Sequence, residues 1–502
     1  MPACIVKVAP MSDTLPTTDH SLAAYQRLGL VLGPALCGGM LVLGTTQTAM
    51  PDAAWKVAAV GLWMAIWWAT EVVPVAATAF LPLVTFDLLG IAPMGEVAPS
   101  YAHPIIYLFL GAFMLAIAVE KWSLHRRIAL WILTRTGTDG KRLILGFMLV
   151  GAVLSMWMTN TSTTMMLLPI AASVGALIAE QASVEQGGDV REFQIALMLA
   201  LAYSTTIGGL STLVGTPPNV FLAGFLADTY DIRIAFADWM MIGVPLSMML
   251  LPLGWWVLTS LVYRVNIPAS RQTQDVIARM QDEIGDMSAS EKRVGLLFLA
   301  VILLWMFRSP LSGLPGLAGL SDAGIVMTAA LLLFVIPSGG AGGGPLLQWS
   351  DVSRLPWGVL ILFGGGLSLA AQVSGSGLAL WLGEGLSGLE SMGLIVLVLA
   401  AAGLVVFLTE LTSNLATAAT FLPVVAAIAL QSGIDPLVLC VPVTLAASCA
   451  FMLPVATPPN AIVYSSGLLR IPDMVRAGFV MNLIALALLT VVAVWLVPAV
   501  LG

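Results

Sequence analysis

The chain has 502 residues, of which 59% are apolar and 9% charged, and its formal net charge is −7. An ordinary soluble domain carries about 25% charged residues, and a mean hydropathy of +0.98 is more than a soluble core can hide. These figures exclude a cytosolic enzyme, a secreted domain and a disordered chain, and leave a polytopic membrane protein.

The expected fold class is all-α, with about eleven transmembrane helices and two re-entrant hairpins, taking about 20 apolar residues per crossing. Residues 1–25 are polar at first and rich in Pro and Thr, and read as a cytoplasmic tail rather than a cleaved leader. Apolar stretches then lie near 29–48, 54–70, 73–91, 104–119, 193–226, 236–262, 294–307, 323–337, 357–373, 435–466 and 475–499. Two others, 145–182 and 393–432, are too long for one crossing and carry polar residues and a proline in the middle. Each reads as a hairpin that enters and leaves by one face, its irregular backbone sheltered by protein or a watery cavity. The polar stretch 264–293 is the linker between a first unit, 26–263, and a second, 294–502.

Charge supports this layout. With the N-terminus inside, 17 of the 20 Lys and Arg residues fall on the cytoplasmic side, and only Lys56, Arg233 and Arg308 fall outside. The C-terminus is then outside, and the chain is a multi-pass protein of the cell membrane. Residues 120–135 are amphipathic, with Leu124, Ile128, Trp131 and Ile132 on one stripe, which suits a helix on the membrane surface.

The two units repeat one another. Phe109 and Phe363, Asn160 and Asn414, and Pro169 and Pro423 are each 254 residues apart. The string TPPN recurs at 216–219 and 457–460, 241 apart, which places a thirteen-residue length difference in the polar loop around 183–192. The connector 120–143 holds six basic residues; its counterpart, 375–392, holds none and has Glu384 and Glu390. Equivalent segments on opposite faces mean an inverted-topology repeat, the organisation of secondary transporters with midplane sites.

Each unit has two polar interruptions. One is the hairpin tip, Thr159 to Thr164 and Ser413 to Thr417; the other is a helix break, Gly215 to Asn219 and Ala456 to Asn460. A double proline cannot continue a helix and frees carbonyls one turn earlier. Those carbonyls, with Asn and Ser/Thr oxygens, make a small hard-oxygen cage suited to sodium. The N-termini of the resumed half-helices, with Asn amides and Thr hydroxyls, suit an anion. None of the four strings contains Lys, Arg or His. An anionic cargo would have no fixed cationic partner there, and burying a carboxylate unpaired is prohibitive. Co-bound sodium ions supply the missing charge. A single Asn-Thr pair is usually packing glue and a single Pro pair a kink; four strings in the same order in both units read as one binding set.

The strings MTNTSTTMMLLPIA (158–171), GTPPN (215–219), TELTSNLATAATFLPV (409–424) and MLPVATPPNAIV (452–463) resemble those of the divalent-anion/sodium symporter family, the di/tricarboxylate and sulfate carriers. The resemblance covers the chain from about residue 25. It implies one sodium site at Ser155, Thr159, Asn160 and Gly215 and a second at Thr409, Thr412, Asn414 and Ala456. It implies substrate contacts from Asn160, Thr161, Asn414, Leu415, Thr457 and Pro458, and a homodimer that works as an elevator. Thr159 replaces the family's usual Ser and keeps the hydroxyl; Leu415 stands where many members have Thr, which removes one possible donor to the cargo.

The expected function is sodium-coupled import of a divalent anion, a C4-dicarboxylate such as succinate, malate or fumarate, with Na+ as the co-transported ion and no nucleic-acid partner. Citrate or sulfate is the alternative cargo; a proton-coupled carrier or a passive anion channel is more distant. An enzyme is not expected: the serine-protease-like string 385–388 has no nearby His, and the glycine run 338–344 lacks the Lys-Ser/Thr of a phosphate loop. Glu410, four residues before Asn414, either supports the second ion site or caps a helix; Glu71 is open in the same way, and His103 reads as interfacial. The four cysteines show no paired spacing.

Overall fold

A computed structural model describes residues 23–48, 50–181, 187–339, 343–385 and 393–501. Most of the expected tail, part of the 183–192 loop, the middle of the glycine run and the end of the 375–392 connector lie outside the described residues. Among the described residues every regular element is helical, apart from an isolated bridge between Pro337 and Pro345. Eight of these helices are long and apolar enough to cross a membrane. Two of the eight, Asn160–Gln181 and Asn414–Gln431, belong to the expected hairpins, and the expected spans 54–70, 294–307 and 323–337 are helical outside the eight. Several stretches that read as single spans are broken. The 73–91 stretch is split into Val75–Thr78 and Leu81–Leu88. The stretch 193–226 is split into Gly187–Leu210 and Pro217–Tyr230, and 435–466 into Pro436–Ser448 and Pro458–Tyr464.

The repeat is visible in where helices begin. The helices Leu124–Thr136 and Leu378–Gly385 start 254 residues apart, as do Asn160–Gln181 and Asn414–Gln431. Pro217–Tyr230 and Pro458–Tyr464 start 241 apart, each with its prolines in the first turn where a missing N–H costs nothing. The last long helix of each unit ends in a π turn, Val257–Leu261 and Val492–Leu496, 235 apart. Both long apolar stretches fold as helix–turn–helix: Gly140–Ser155 with Asn160–Gln181, and Leu394–Leu408 with Asn414–Gln431.

Each helix break exposes main-chain groups at membrane depth, and each must find partners within the protein. In the first break Asn219 Nδ2 donates to the carbonyls of Gly209 (3.2 Å) and Thr212 (2.9 Å), and Trp239 Nε1 to that of Leu210 (3.1 Å). In the second, Asn460 Nδ2 donates to the carbonyls of Ala450 (3.2 Å) and Leu453 (3.0 Å), and the Tyr203 hydroxyl to that of Phe451 (2.8 Å). The asparagine pattern is the same at both breaks, shifted by 241 residues.

The second loop has one more anchor. The Glu410 carboxylate, 3% exposed, accepts the N–H groups of Phe451 (2.8 Å), Met452 (2.9 Å) and Leu453 (3.0 Å) and Nδ2 of Asn482 (2.8 Å). The equivalent position, 254 residues earlier, is Met156, whose carbonyl instead accepts the Thr212 hydroxyl at 2.6 Å. Close approach shapes both corners too: a Cβ at Gly243 would fall 2.4 Å from the Leu210 carbonyl oxygen, and one at Gly478 would fall 2.2 Å from that of Phe451.

At one end of the bundle the helix Pro104–Lys121 is tied to the short turn Trp349–Arg354. Lys121 Nζ lies 2.6 Å from Asp351 Oδ2, and Arg354 pairs with Glu120. Burial pushes the Asp351 carboxyl up, but Lys121, the Gln348 N–H and the charge of Arg354 outweigh it and hold it below the usual carboxylate range.

Two outcomes follow from these anchors. Glu410→Ala leaves three loop N–H groups and an amide without an acceptor, at about 1–3 kcal/mol each. It therefore lowers the thermal midpoint in detergent much more than Glu410→Gln, which keeps an acceptor oxygen; equal losses would contradict the anchoring role. Asp351 has a depressed pKa when folded, so its stabilisation is present above the ordinary carboxylate value and is lost as pH falls through the folded one. Asp351→Asn thus costs about 1–2 kcal/mol near neutral pH, and its gap to the parent closes as pH is lowered below about 4. A gap that persists in acid would show that the charge is not what matters.

Candidate functional site

The two hairpin tips and the two helix breaks line a single cavity of about 800 Å³. Thr159, Asn160 and Thr161 come from the first tip, and Asn414 and Leu415 from the second. Gly215 comes from the first break, and Ala456, Thr457 and Pro458 from the second. Nine of the expected site residues therefore lie on the wall of one cavity, although they are drawn from four separate stretches of chain. Phe109 and Phe113 of the helix Pro104–Lys121, and Val359 and Leu362 of Trp357–Gly375, line the cavity as well.

Three expected residues stand behind that wall. Ser155 is fully buried and its hydroxyl donates to Asn160 Oδ1 at 2.6 Å. Thr409, also buried, sits 254 residues later and places its hydroxyl 2.9 Å from Asn414 Oδ1. The Thr409 oxygen also lies 2.7 Å from the Ala447 carbonyl, so one proton serves a cluster of three oxygens. Such an oxygen-rich, proton-poor cluster is suited to a hard cation. Thr412 lies in the second tip, but its hydroxyl contacts that of Thr417 (2.6 Å) and the Leu408 carbonyl (3.1 Å) rather than Asn414.

The first tip is held through its main chain, by the Asn160 backbone carbonyl and the Ser162 N–H. In the first tip the Thr164 hydroxyl caps the Asn160 carbonyl at 2.8 Å, and Thr159 accepts the Ser162 N–H at 3.2 Å. A Cβ at Gly209 would come within 2.6 Å of Asn160 Oδ1, and one at Gly215 within 2.4 Å of the Gly209 carbonyl oxygen. Glycine at these two positions lets the Asn160 carboxamide and the carbonyls of the first break crowd into one cradle. The oxygens at the tips are neutral, and the cavity has no cationic side chain from any of the four strings.

One expectation is corrected. The asparagines of the two TPPN strings do not offer their amides to an anion. Asn219 and Asn460 are fully buried, lie off the cavity wall, and spend their amide protons on the loop carbonyls. A half-helix that begins with two prolines has few N–H groups of its own to stabilise the loop before it, so the third residue, the asparagine, turns back to do so. The second break is capped as well: the Thr457 hydroxyl accepts the Asn460 N–H at 3.3 Å. Glu410 likewise does not reach the cavity; it holds the loop that carries Ala456.

The cavity also has charged members outside the four strings, of which the sequence flagged Glu71 but not Glu120 or Arg354. Glu71, Glu120 and Arg354 are its charged lining residues. They come from three helix ends far apart in sequence, so only the fold assembles them. The amphipathic pattern of 120–135 marked a surface helix, Leu124–Thr136, but gave no hint that Glu120 beside it faces the cavity.

The comparisons identify the family. A family model described as the sodium:sulfate symporter transmembrane region matches residues 28–501. A sodium-dependent dicarboxylate transporter, SdcS, of Staphylococcus saprophyticus is 42% identical over 491 residues, covering 96% of this chain and 94% of that protein. The SdcS of Staphylococcus aureus strain USA300 is 40% identical over 489 residues, covering 96% and 93%. Two solved structures share the fold at 15% identity. The Alcanivorax borkumensis YdaH transporter has a TM-score of 0.54 over 87% of this chain and 98% of that one. MtrF of Neisseria gonorrhoeae has a TM-score of 0.56 over 80% and 83%. Sequence along nearly the whole chain and the shared cavity of tips and breaks lead to one assignment: the protein is a multi-pass membrane transporter of the sodium:sulfate symporter family.

Proposed function

We propose that the protein is a sodium-coupled symporter that imports a C4-dicarboxylate. The single observation that carries this reading is the convergence of both tips and both breaks on one cavity whose motif oxygens are neutral. Neutral oxygens hold sodium well and a dianion poorly. Two sodium ions, one behind Asn160 with Ser155, Thr159 and Gly215, one behind Asn414 with Thr409, Thr412 and Ala456, would balance the two carboxylates. Asn160, Thr161, Asn414, Thr457 and Pro458 then contact the cargo, and Leu415, buried on the cavity wall, supplies an apolar surface to the carbon chain. The relatives' printed name, a sodium-dependent dicarboxylate transporter, supports the same cargo class. Leu415 in place of a hydroxyl argues against sulfate, which needs donors on every side and offers no apolar surface.

The units 26–263 and 294–502 form the inverted repeat of this reading. The hairpins and broken helices move as one body against a scaffold that includes Pro104–Lys121 and Trp357–Gly375, in a homodimer. The N-terminus lies inside and the C-terminus outside. In that layout Glu71, Glu120 and Arg354 sit at the cytoplasmic end of the cavity, so the cavity opens inward.

Purified protein in liposomes tests the reading. Labelled succinate should accumulate only with an inward sodium gradient, and uptake should saturate. Asn160→Ala and Asn414→Ala should each reduce uptake by at least about a hundredfold, as expected when a buried polar contact to both ion and cargo is removed, while the protein stays folded by thermal unfolding. Near-normal uptake by either variant contradicts the proposed site.

A further inference from the structure

The rim of the cavity carries a cation that the deep site lacks. Arg354 lines the cavity together with Glu120 and Glu71. Its Nη2 pairs with Glu120 Oε1, and both side chains are partly exposed, 45% and 36%. Among the described residues this is the only partner of the guanidinium: neither Nε nor Nη1 has a bond. The other cations nearby, Arg127 and Lys121, do not line the cavity. Arg127 spends Nε and Nη2 on Glu291 and Nη1 on the Gly285 carbonyl. Lys121 is held at 2.6 Å by Asp351, which also accepts the Gln348 N–H. Arg354 alone among them faces the cavity with unspent donors.

A guanidinium recognises a carboxylate through two parallel N–H bonds, and here it makes a single bond to its protein partner. A singly bonded, half-exposed ion pair contributes little stability and exchanges readily. We propose that Arg354 forms a transit site for one carboxylate of the cargo at the cavity rim, with Glu120 as the counter-ion that the carboxylate displaces. The inference rests on the dicarboxylate reading above. The transit site holds its anion through a fixed protein charge, so it works without sodium. The two glutamates make the rim net negative by one charge, which keeps the hold weak and favours departure of the cargo to this side. Arg354 is thus a binding residue for entry and release, distinct from the sodium-dependent contacts at the tips.

Succinate uptake by inside-out and right-side-out membrane vesicles, each driven by a sodium gradient into the vesicle, tests this. Inside-out vesicles present the Arg354 face to the added cargo. Arg354→Gln should raise the succinate KM about tenfold in inside-out vesicles, or 1.4 kcal/mol, and leave right-side-out KM and the half-saturating sodium concentration unchanged. Arg354→Lys, a point charge without the fork, should fall between. Glu120→Gln should lower KM at the Arg354 face and slow turnover in the import direction. Added choline chloride should raise KM at that face in the parent and have little effect in Arg354→Gln, because screening has no charge left to act on. A purely structural ion pair would alter both faces alike and leave the choline dependence intact, and that result overturns the proposal. So does a parent-like KM in both Arg354→Gln and Glu120→Gln, or a rise in the sodium requirement that tracks the rise in KM. If the parent itself shows no sodium-driven succinate uptake, the failure lies with the cargo reading; if the parent transports and the variants give any of these contrary results, it lies with the transit site alone.

Discussion

A carboxylate taken out of water must be neutralised or hydrogen-bonded at once, because an isolated charge in low dielectric costs many kcal/mol. The cavity floor of this protein offers neutral oxygens and no fixed cation from its four motif strings. That single constraint organises the site. Mobile cations must arrive with the cargo, so transport and the ion gradient are physically coupled rather than merely associated. It also accounts for the company that Asn160 and Asn414 keep. Each carboxamide oxygen has a buried hydroxyl behind it, Ser155 or Thr409, so that the same oxygen can face an ion while its amide faces the cargo.

The two halves solve one problem with different chemistry. Both breaks use an asparagine to hold the loop carbonyls. The loop N–H groups of the second break are held by a buried carboxylate, whereas the first relies on a threonine hydroxyl reaching a hairpin carbonyl. The first cradle, in turn, uses Gly209 and Gly215, where the equivalent positions of the second are Ala450 and Ala456. The first is therefore built by close approach and the second by an anchored loop. The paired strings keep their register and differ in how the backbone is satisfied.

Much of the site was legible in the sequence because it is written twice. The offsets of 254 and 241 residues tied Asn160 to Asn414 and one TPPN to the other before any coordinate was considered, and the cavity brings those strings together. Less was legible where function depends on direction rather than identity. Nothing in TPPN tells that its asparagine turns back into the loop. Glu410 was visible as an acid at membrane depth, but its partners Phe451, Met452, Leu453 and Asn482 are 41 to 72 residues away and supply mostly main-chain N–H groups. Arg354 and Glu120 belong to no motif and meet across 234 residues. Breaks were illegible for a related reason: hydropathy registers a stretch of apolar residues but not the kink within it, as at 73–91.

The central claim is that sodium ions, not protein cations, balance the cargo deep in the cavity. Equilibrium binding of succinate to the purified protein, measured calorimetrically in sodium chloride and in choline chloride of equal ionic strength, addresses it most directly. The account expects binding in sodium that tightens as sodium rises, and none detectable in choline beyond the weak hold of the rim. Equal affinity in the two salts would contradict it.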